Sequence, residues 1–190
     1  MMTLPPLYFL RHGETDWNRD KRIQGQMESE LNERGQGHAL RQGEILSGLA
    51  LPEETRAYCS PQKRTRQTAE RALAPIGIEP VFDERLKEVH MGDWQGLYYP
   101  DVIASSPALG QMGIVELCLS SSGEGEDELW ARAGAFLRSV QTPAIVISHG
   151  IMLSFLRAKA RGLSVADMET MERKQGVVIE LRDGVEVTHS

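Results

Sequence analysis

The sequence predicts one α/β domain built on a mostly parallel sheet. Short apolar runs alternate along the chain with stretches of helical periodicity, the order typical of strands joined by helices. Three of these runs end in a polar turn. A length of 190 residues, with 41% hydrophobic and 25% charged residues, suits a single globular domain over residues 1–190.

The local sequence predicts the first elements in order. Leu7–Leu10 is a continuous apolar run after two prolines, which predicts a buried strand. Asn32 is a favourable N-cap, and the periodic apolar residues after it predict a helix to about Leu49. A second, short strand is predicted over residues 57–59.

A helix is predicted directly after that second strand. Ser60 can act as its N-cap, and Pro61 can occupy its first helical position. The helix would then run to about Ala74.

The clearest strand in the chain is Ala144–Ile147. A helix from about Ile151 to Arg161 is predicted after it, and Gly162 supplies a residue suited to end that helix. Strand and helix are joined by a short turn that contains His149.

The remaining two segments differ in regularity. Residues 177–181 and 185–189 flank an Asp-Gly pair, which predicts a β-hairpin. Residues 96–123 are rich in Ser, Gly and Pro and too long for a plain connection. We expect a functional, lid-like insertion there, and a disordered insert is the alternative.

Composition limits the classes of function. The formal charge is -6 and the pI is near 5.4, which argues against a dedicated nucleic-acid binder. No signal peptide is recognisable, and no apolar stretch approaches the roughly 18 residues of a membrane helix. Two cysteines, Cys59 and Cys118, do not form a disulfide framework. We therefore expect a cytoplasmic protein that does not bind membranes, and the sequence does not predict its oligomeric state.

Histidine and arginine residues recur at the predicted strand ends. Arg11 and His12 end the first strand, Arg64 lies on the first turn of the helix after the second, and His149 follows Ala144–Ile147. Ligands bind at the carboxyl ends of the strands in open α/β sheets, so neighbouring strands would bring these side chains to one pocket. Because guanidinium groups and helix N-termini both favour anions, the pattern predicts a phosphate site.

Three further side chains extend this hypothesis. Asn18 and Gln24 follow the first strand and can donate hydrogen bonds to phosphate oxygens. Glu88 precedes a glycine-bounded turn, where a carboxylic acid can protonate a leaving alkoxide. An imidazole attacks phosphorus when its nitrogen is unprotonated, and neighbouring guanidinium groups disfavour the imidazolium.

Six different short motifs follow one another along the chain. They are Leu10-Arg11-His12-Gly13-Glu14-Thr15 with Asn18, Arg22-Ile23-Gln24-Gly25, Leu31 to Gly35, Ser60-Pro61 to Ala69, Leu86 to Gly96, and Ser148-His149-Gly150. Together they resemble the histidine phosphatase superfamily, which includes the cofactor-dependent phosphoglycerate mutases. The matches span residues 7–160. The resemblance implies a phosphoglycerate mutase-like fold, which is a three-layer α/β/α sandwich with a mostly parallel sheet.

The same resemblance implies roles for individual residues. His12 would be the nucleophile that becomes phosphohistidine, Glu88 the proton donor that later activates water, and His149 a ligand of the phosphoryl group. The candidate phosphate-binding residues are Arg11, Asn18, Gln24, Arg64 and Gly150. No metal and no other cofactor is implied, and the expected partner is a small-molecule phosphate ester.

Two segments depart from the family's pattern. The family often has Asp-x-Pro-Leu where this chain has residues 28–31, Glu-Ser-Glu-Leu, so we expect that loop to be placed differently. The family's Gly-Glu-Ser is Gly-Glu-Gly at residues 123–125, which keeps the spacing to Arg132 but loses the serine and its contact.

Two other types of site are weaker interpretations. Cys59 lacks the arginine six residues later that tyrosine-phosphatase-like enzymes require, because that position is Thr65, so a packed apolar role is favoured. A metal site built from His12, His149 and Glu88 lacks any His-Glu-x-x-His or paired-Cys spacing.

Phosphatases and mutases share the core residues, so the substrate must be argued from residues 88–131. This stretch has eight acidic side chains and no Lys or Arg, and it also carries apolar residues such as Ile103 and Met112. An acidic cover would repel the bisphosphorylated acid that a mutase must hold. We therefore predict hydrolysis of a monophosphate with a neutral, apolar or cationic remainder. A phosphoglycerate mutase and a catalytically weak phospho-ligand-binding module are the alternatives.

Overall fold

A six-stranded sheet forms the centre of the computed structural model, which describes residues 3–190. The strands are β1 (Leu7–Arg11), β2 (Arg56–Cys59), β3 (Pro80–Phe82), β4 (Ala144–Ser148), β5 (Val178–Arg182) and β6 (Val185–His189). Their order across the sheet is β3-β2-β4-β1-β5-β6. Strands β1 to β4 are mutually parallel, β5 is antiparallel to its neighbour β1, and β6 is antiparallel to β5. The predicted mostly parallel sheet is therefore confirmed.

Helices cover both faces of this sheet. The α-helices are α1 (Asp16–Arg19), α2 (Glu33–Gly48), α3 (Lys63–Leu73), α4 (Tyr99–Ala104), α5 (Ile114–Leu119), α6 (Glu126–Ser139), α7 (Gly150–Arg161) and α8 (Val165–Met168). Short 3-10 turns lie at Ala74–Ile76, Glu84–Leu86, Gly92–Trp94 and Leu109–Gln111. No helix among residues 3–190 is both long enough and apolar enough to cross a membrane.

Alternation along β1 divides the apolar core into two layers. Tyr8 and Leu10 pack with residues of α2 and α3, whereas Leu7 and Phe9 pack with residues of α6 and α7. All four of these side chains are buried because successive residues of a strand point to opposite faces of the sheet. The three-layer α/β/α arrangement that the resemblance implied is therefore confirmed.

The carboxyl ends of three parallel strands lie side by side. Arg11 at the end of β1 pairs with Ser148 of β4, and Cys59 at the end of β2 pairs with Ile147 of β4. The residues that follow these strands consequently emerge at one edge of the sheet, as the sequence predicted.

The helix after β2 begins later than predicted. It starts at Lys63 with Gln62 as N-cap, so neither Ser60 as cap nor Pro61 as first helical residue is correct. The Ser60 hydroxyl is instead engaged by the ring of His149, with 2.8 Å between Oγ and Nε2. The same hydroxyl also accepts from the backbone N–H of Gln62 at 3.5 Å, so Ser60 makes a tertiary contact and a local one just before α3.

Segment 96–123 is not irregular, contrary to the prediction from its composition. It contains α4, α5 and the 3-10 turn between them. Val102, Val115 and Cys118 are buried against the main core. Because these apolar side chains anchor both short helices, the segment folds over the sheet edge as ordered structure.

The C-terminal predictions are confirmed in detail. Gly162 ends α7 in the left-handed region at φ 72°. The hairpin between β5 and β6 turns through Asp183 and Gly184, whose φ angles of 51° and 79° suit this residue pair. Strand β3 is an edge strand that the sequence analysis missed.

Candidate active site

A cavity of about 600 Å³ opens at the carboxyl edge of β1 and β4. Arg11 and His12 line it from the end of β1, and Arg64 lines it from the start of α3. Glu88 and Gly150, the first residue of α7, also line the cavity. The structure therefore brings the predicted residues into one place.

His12 has one ring nitrogen fixed and one free. The side chain is only 3% exposed, and its Nδ1 lies 2.7 Å from the carbonyl oxygen of Gly13. Since a carbonyl oxygen can only accept, Nδ1 carries the proton and Nε2 keeps its lone pair. Burial, together with the charges of Arg64 and Arg11, holds the pKa of His12 well below its usual value. The ring is therefore neutral and its Nε2 is a competent nucleophile.

Arg11 has an unsatisfied donor beside the cavity. One terminal nitrogen, Nη1, donates to the carbonyl oxygen of Arg173 at 2.6 Å. The buried Nε of Arg11 has no hydrogen-bond partner within residues 3–190. Because a buried N–H without a partner is costly, this donor is suited to an anion such as a phosphoryl oxygen.

Arg64 is buried at the base of the cavity. Its Nη1 and Nη2 donate to the carbonyl oxygens of Met27 and Gly25 at 2.9 and 2.8 Å, and its Nε donates to Nδ1 of His149 at 3.2 Å. Burial lowers the pKa of Arg64 to about 10, so the guanidinium still carries its charge at neutral pH.

His149 lies behind His12 rather than on the cavity wall. The side chain is fully buried, its Nδ1 accepts from Arg64, and its Nε2 lies 2.8 Å from the Ser60 hydroxyl. Burial, followed by the charge of Arg64, holds the pKa of His149 well below its usual value. Direct contact between His149 and a phosphoryl group stays a prediction, because the ring's hydrogen bonds are made within the protein.

Glu88 is held by backbone N–H groups at the start of α7. Its two carboxyl oxygens accept from Ile151 at 3.2 Å and from Met152 at 3.0 Å, and one of them also accepts from Val89. The backbone N–H of Glu88 donates to Oε1 of Gln62 at 3.0 Å. The carboxyl group is thereby fixed at the cavity wall.

The N-termini of α3 and α7 both have backbone N–H groups bonded to glutamate side chains of the protein. At α7 the N–H groups of the second and third residues, Ile151 and Met152, are bonded to Glu88. At α3 the N–H of Lys63 donates to Glu28 at 2.7 Å. Carboxyl groups from the protein thus bind part of each helix N-terminus, and Arg11 and Arg64 provide positive charge beside His12. Glu28 lies in the segment where the sequence departs from the family's Asp-x-Pro-Leu.

Hydrogen bonds to their amide oxygens orient the side chains of Asn18 and Gln24. Oδ1 of Asn18 accepts from the backbone and hydroxyl of Thr15, and Oε1 of Gln24 accepts from the hydroxyls of Thr15 and Ser29. Both residues line the cavity. The NH₂ groups of Asn18 and Gln24 form no hydrogen bond within residues 3–190 and are free to donate to a ligand.

Gly150 packs directly against Arg11. A side chain at this position would place its first carbon 3.5 Å from Cζ and Nε of Arg11. Glycine therefore leaves the Arg11 guanidinium and the cavity beside it unobstructed.

Sequence reasoning missed two residues that support the site. Gln175 donates from Nε2 to the carbonyl oxygen of His12 at 3.0 Å and to Oδ1 of Asn18 at 3.3 Å. Arg173 supplies the carbonyl oxygen that Arg11 contacts and also lines the cavity. Both lie more than 150 positions from their partners, so no local motif indicated them.

The predicted acidic cover does not face the cavity. Of the eight acidic residues in 88–131, only Glu88 lines it. Glu124, in the segment that departs from Gly-Glu-Ser, forms a bidentate ion pair with Arg132 at 2.7 Å. Lys21 and Arg22 also line the cavity, together with Glu14 from outside residues 88–131 and an apolar wall formed by Ile103, Met112, Ile114 and Leu117. This arrangement removes the reason for expecting a cationic substrate remainder, while an apolar remainder still fits.

The two weaker interpretations find no support in the geometry. Cys59 is fully buried, and burial raises the pKa of its thiol to about 12, which agrees with a packed apolar role. Within residues 3–190, no three His, Cys, Asp or Glu side chains form a group that could hold a metal ion.

Comparison with known proteins shows similarity to the histidine phosphatase superfamily along most of the chain. The sequence profile of the histidine phosphatase superfamily (branch 1) matches residues 7–184. The chain is 31% identical over 184 residues to phosphoglycerate mutase-like protein 4 of Arabidopsis thaliana, covering 92% of this chain and 79% of that protein. It is 33% identical over 165 residues to probable phosphoglycerate mutase GpmB of Citrobacter koseri, covering 83% and 75%.

One solved structure has a similar fold and a sequence identity below that of these two relatives. It is the mycobacterial glucosyl-3-phosphoglycerate phosphatase Rv2419c in complex with VO3, with a TM-score of 0.77 and 27% identity. The match covers 94% of this chain and 92% of that one. Proteins similar to this chain therefore include ones named as mutases and one named as a phosphatase.

Proposed function

This chain belongs to branch 1 of the histidine phosphatase superfamily, and we propose that it hydrolyses a small phosphate monoester through a phosphohistidine formed on His12. The observation that carries the proposal is the bond from Nδ1 of His12 to the carbonyl oxygen of Gly13. It leaves Nε2 unprotonated near buried Arg64 and half-buried Arg11. Such a nitrogen is suited to attack phosphorus, since the neighbouring cations can stabilise charge on the phosphoryl oxygens.

In the first step, Nε2 of His12 attacks phosphorus as the bond to the ester oxygen breaks. Arg11 and Arg64 bind the phosphoryl oxygens, and the NH₂ groups of Asn18 and Gln24 donate to them. Glu88 gives its proton to the leaving alkoxide, which departs as an alcohol. The backbone N–H groups on Glu88 fix the carboxyl for this transfer.

In the second step, Glu88 is a carboxylate and takes a proton from an incoming water molecule. The water oxygen attacks phosphorus, the nitrogen–phosphorus bond breaks, and inorganic phosphate is released. His12 returns to its neutral form. Glu88 returns to its acid form, so the cycle needs no further cofactor.

The cavity supports a substrate with an uncharged and partly apolar organic group. Ile103, Met112, Ile114 and Leu117 form one apolar wall. A volume of about 600 Å³ holds a phosphoryl group together with a medium-sized organic group. Sugar phosphates, nucleoside-type phosphates and phosphoserine are the classes to test.

A phosphoglycerate mutase is the second candidate, and one observation favours it. Lys21 and Arg22 line the rim, where they provide positive charge beyond Arg11 and Arg64. A mutase needs such charge to retain a bisphosphorylated intermediate. The names of two relatives also fall in this class.

Hydrolysis of p-nitrophenyl phosphate in the presence of EDTA at mildly acidic pH tests the proposal. We expect turnover by the wild type and its loss in His12→Ala. Equal rates in the two proteins would reject the role of His12. Phosphate binding with no turnover in either protein would favour a phospho-ligand-binding module.

The mutase is tested with 3-phosphoglycerate and its bisphosphate primer. Isomerisation without net release of phosphate would identify a mutase and overturn the phosphatase proposal. Net release of phosphate from a panel of monoesters would instead identify the preferred substrate class.

A further inference from the structure

The carboxylate of Glu169 is bonded to the start of α5. Its Oε1 accepts from the backbone N–H groups of Val115 and Glu116 at 3.0 and 2.9 Å. Gly113 allows this approach, because a side-chain carbon there would overlap the carboxyl group of Glu169. Glu169, which lies outside segment 96–123, thus binds the N-terminus of a helix inside that segment.

The two hydrogen bonds from Val115 and Glu116 to Glu169 attach the second part of segment 96–123 to the rest of the protein. The first part of the segment is tied to the chain after β1 through Tyr99, whose N–H donates to the carbonyl oxygen of Lys21. Among the described residues, no other hydrogen bond joins residues 105–119 to the protein outside 96–123. The polar attachment of α5 therefore depends on Glu169.

The same part of the chain also reaches the phosphate-binding residues. Nη2 of Arg173 donates to the carbonyl oxygen of Glu169 at 3.0 Å, and the carbonyl oxygen of Arg173 accepts from Arg11 at 2.6 Å. Two residues further on, Gln175 contacts His12 and Asn18. Residues 169–175 therefore connect the apolar wall with the phosphate-binding groups.

We propose that Glu169 is a positioning residue that holds the apolar wall at a fixed distance from the phosphoryl group and so selects the organic part of the substrate. This inference rests on the proposed function for its substrate. Met112, Ile114 and Leu117 line the cavity from around α5. Without the carboxylate, α5 loses its polar attachment and is held only by buried apolar side chains such as Val115 and Cys118, which do not fix its orientation as directional hydrogen bonds do.

The test compares a substrate that reaches the wall with a ligand that does not. The KM and kcat for 1-naphthyl phosphate report on the wall and the chemistry together, whereas the inhibition constant of inorganic phosphate reports only on the phosphate-binding groups. For Glu169→Ala we expect the KM to rise about tenfold, with kcat and the inhibition constant changed by less than about twofold.

Three further variants make the result specific. Glu169→Gln keeps an oxygen that can accept from Val115 and Glu116, so it should retain the wild-type KM. Gly113→Ala should displace the carboxylate and raise the KM with Glu169 still present. Glu172→Ala is the matched control, because Glu172 is exposed and its carboxylate contacts Thr188 on β6.

Two outcomes would overturn the proposal. One is an unchanged KM in both Glu169→Ala and Gly113→Ala. The other is an equal rise in the KM and the phosphate inhibition constant, which would place the effect on the whole site. Glu169→Asp, which keeps the charge but shortens its reach, gives the same test if Glu169→Ala does not fold.

Failure of the proposed function is recognised separately. If the wild type does not hydrolyse 1-naphthyl phosphate, the proposed function fails, and dissociation constants of 1-naphthyl phosphate and inorganic phosphate replace the kinetic values. A selective weakening of 1-naphthyl phosphate binding in Glu169→Ala would still support the role of Glu169, and no selective change would reject it.

Discussion

The imidazole rings of His12 and His149 lie 5.2 Å apart, centroid to centroid, with 58° between their planes. They hold opposite tautomers. Nδ1 of His12 donates to a carbonyl oxygen, whereas Nδ1 of His149 accepts from Arg64, since a guanidinium can only donate. A different partner therefore sets the tautomer of each ring, and only His12 has a ring nitrogen with a free lone pair at the cavity.

The pH dependence of activity tests the electrostatic role of Arg64. Burial and the neighbouring guanidinium groups lower the pKa of His12, so kcat/KM should fall on the acid side only well below pH 6.5. Arg64→Gln removes a positive charge, which raises the pKa of His12 and moves the acid limb to higher pH. A pH–rate profile of kcat/KM measures this shift.

Arg64→Lys is the matched control for that profile, because it keeps the positive charge while losing the planar contacts. Its acid limb should stay near that of the wild type, although kcat falls. Coincident acid limbs for Arg64→Gln and the wild type would show that Arg64 does not set the protonation of His12.

Stability should decrease as the pH falls below about 6.5. The folded-state pKa values of His12 and His149 are lowered, so below that pH the unfolded chain binds protons that the folded protein excludes. Each ring should remove about 1.4 kcal/mol of unfolding free energy per pH unit in this range. Urea unfolding between pH 7 and pH 5 measures the slope.

His149→Gln removes one of the two titrating rings and should reduce that slope. Ser60→Ala removes the contact to His149 without removing the ring, so its slope should match the wild type. An unchanged slope in His149→Gln would show that this ring is not the source of the pH dependence.

Gln175→Ala tests a contact that aligns the nucleophile. Its loss frees the carbonyl oxygen of His12 and Oδ1 of Asn18, so we expect kcat to fall about tenfold with little change in stability. Gln175→Glu should be worse, because it places a second acceptor against both oxygens. Lys174→Ala, an exposed neighbour, is the control, and steady-state kinetics of all three should separate the effects.

Two glycines on α2 should respond in opposite directions to alanine. A side-chain carbon at Gly35 would overlap the carbonyl oxygen of Glu14, so Gly35→Ala should lower the unfolding free energy by about 2–4 kcal/mol and disturb the loop after His12. Gly37 has open space around it, so Gly37→Ala should raise stability by up to about 1 kcal/mol. Equal changes in the melting temperature of Gly35→Ala and Gly37→Ala would contradict the difference in packing at the two positions.

Residues next to each other in the chain determined most of the elements. The apolar runs at Leu7–Leu10 and Ala144–Ile147 gave correct strands, and Asn32 caps α2 through Gly35 as its type suggests. These predictions succeeded because apolar periodicity and caps act over a few residues. The predicted start of α3 was wrong, and the local sequence did not indicate that the Ser60 hydroxyl contacts His149, which is 89 positions away.

The sequence by itself determined the fold class, the family and the set of side chains that meet at the sheet edge, since strand patterns and motifs are local properties of the chain. Only the tertiary structure decided the tautomers of His12 and His149, the fixing of Glu88 by α7 and the attachment of α5 to Glu169. These features depend on hydrogen bonds whose direction follows from packing. A change of about one ångström in that packing would alter them while leaving every motif intact.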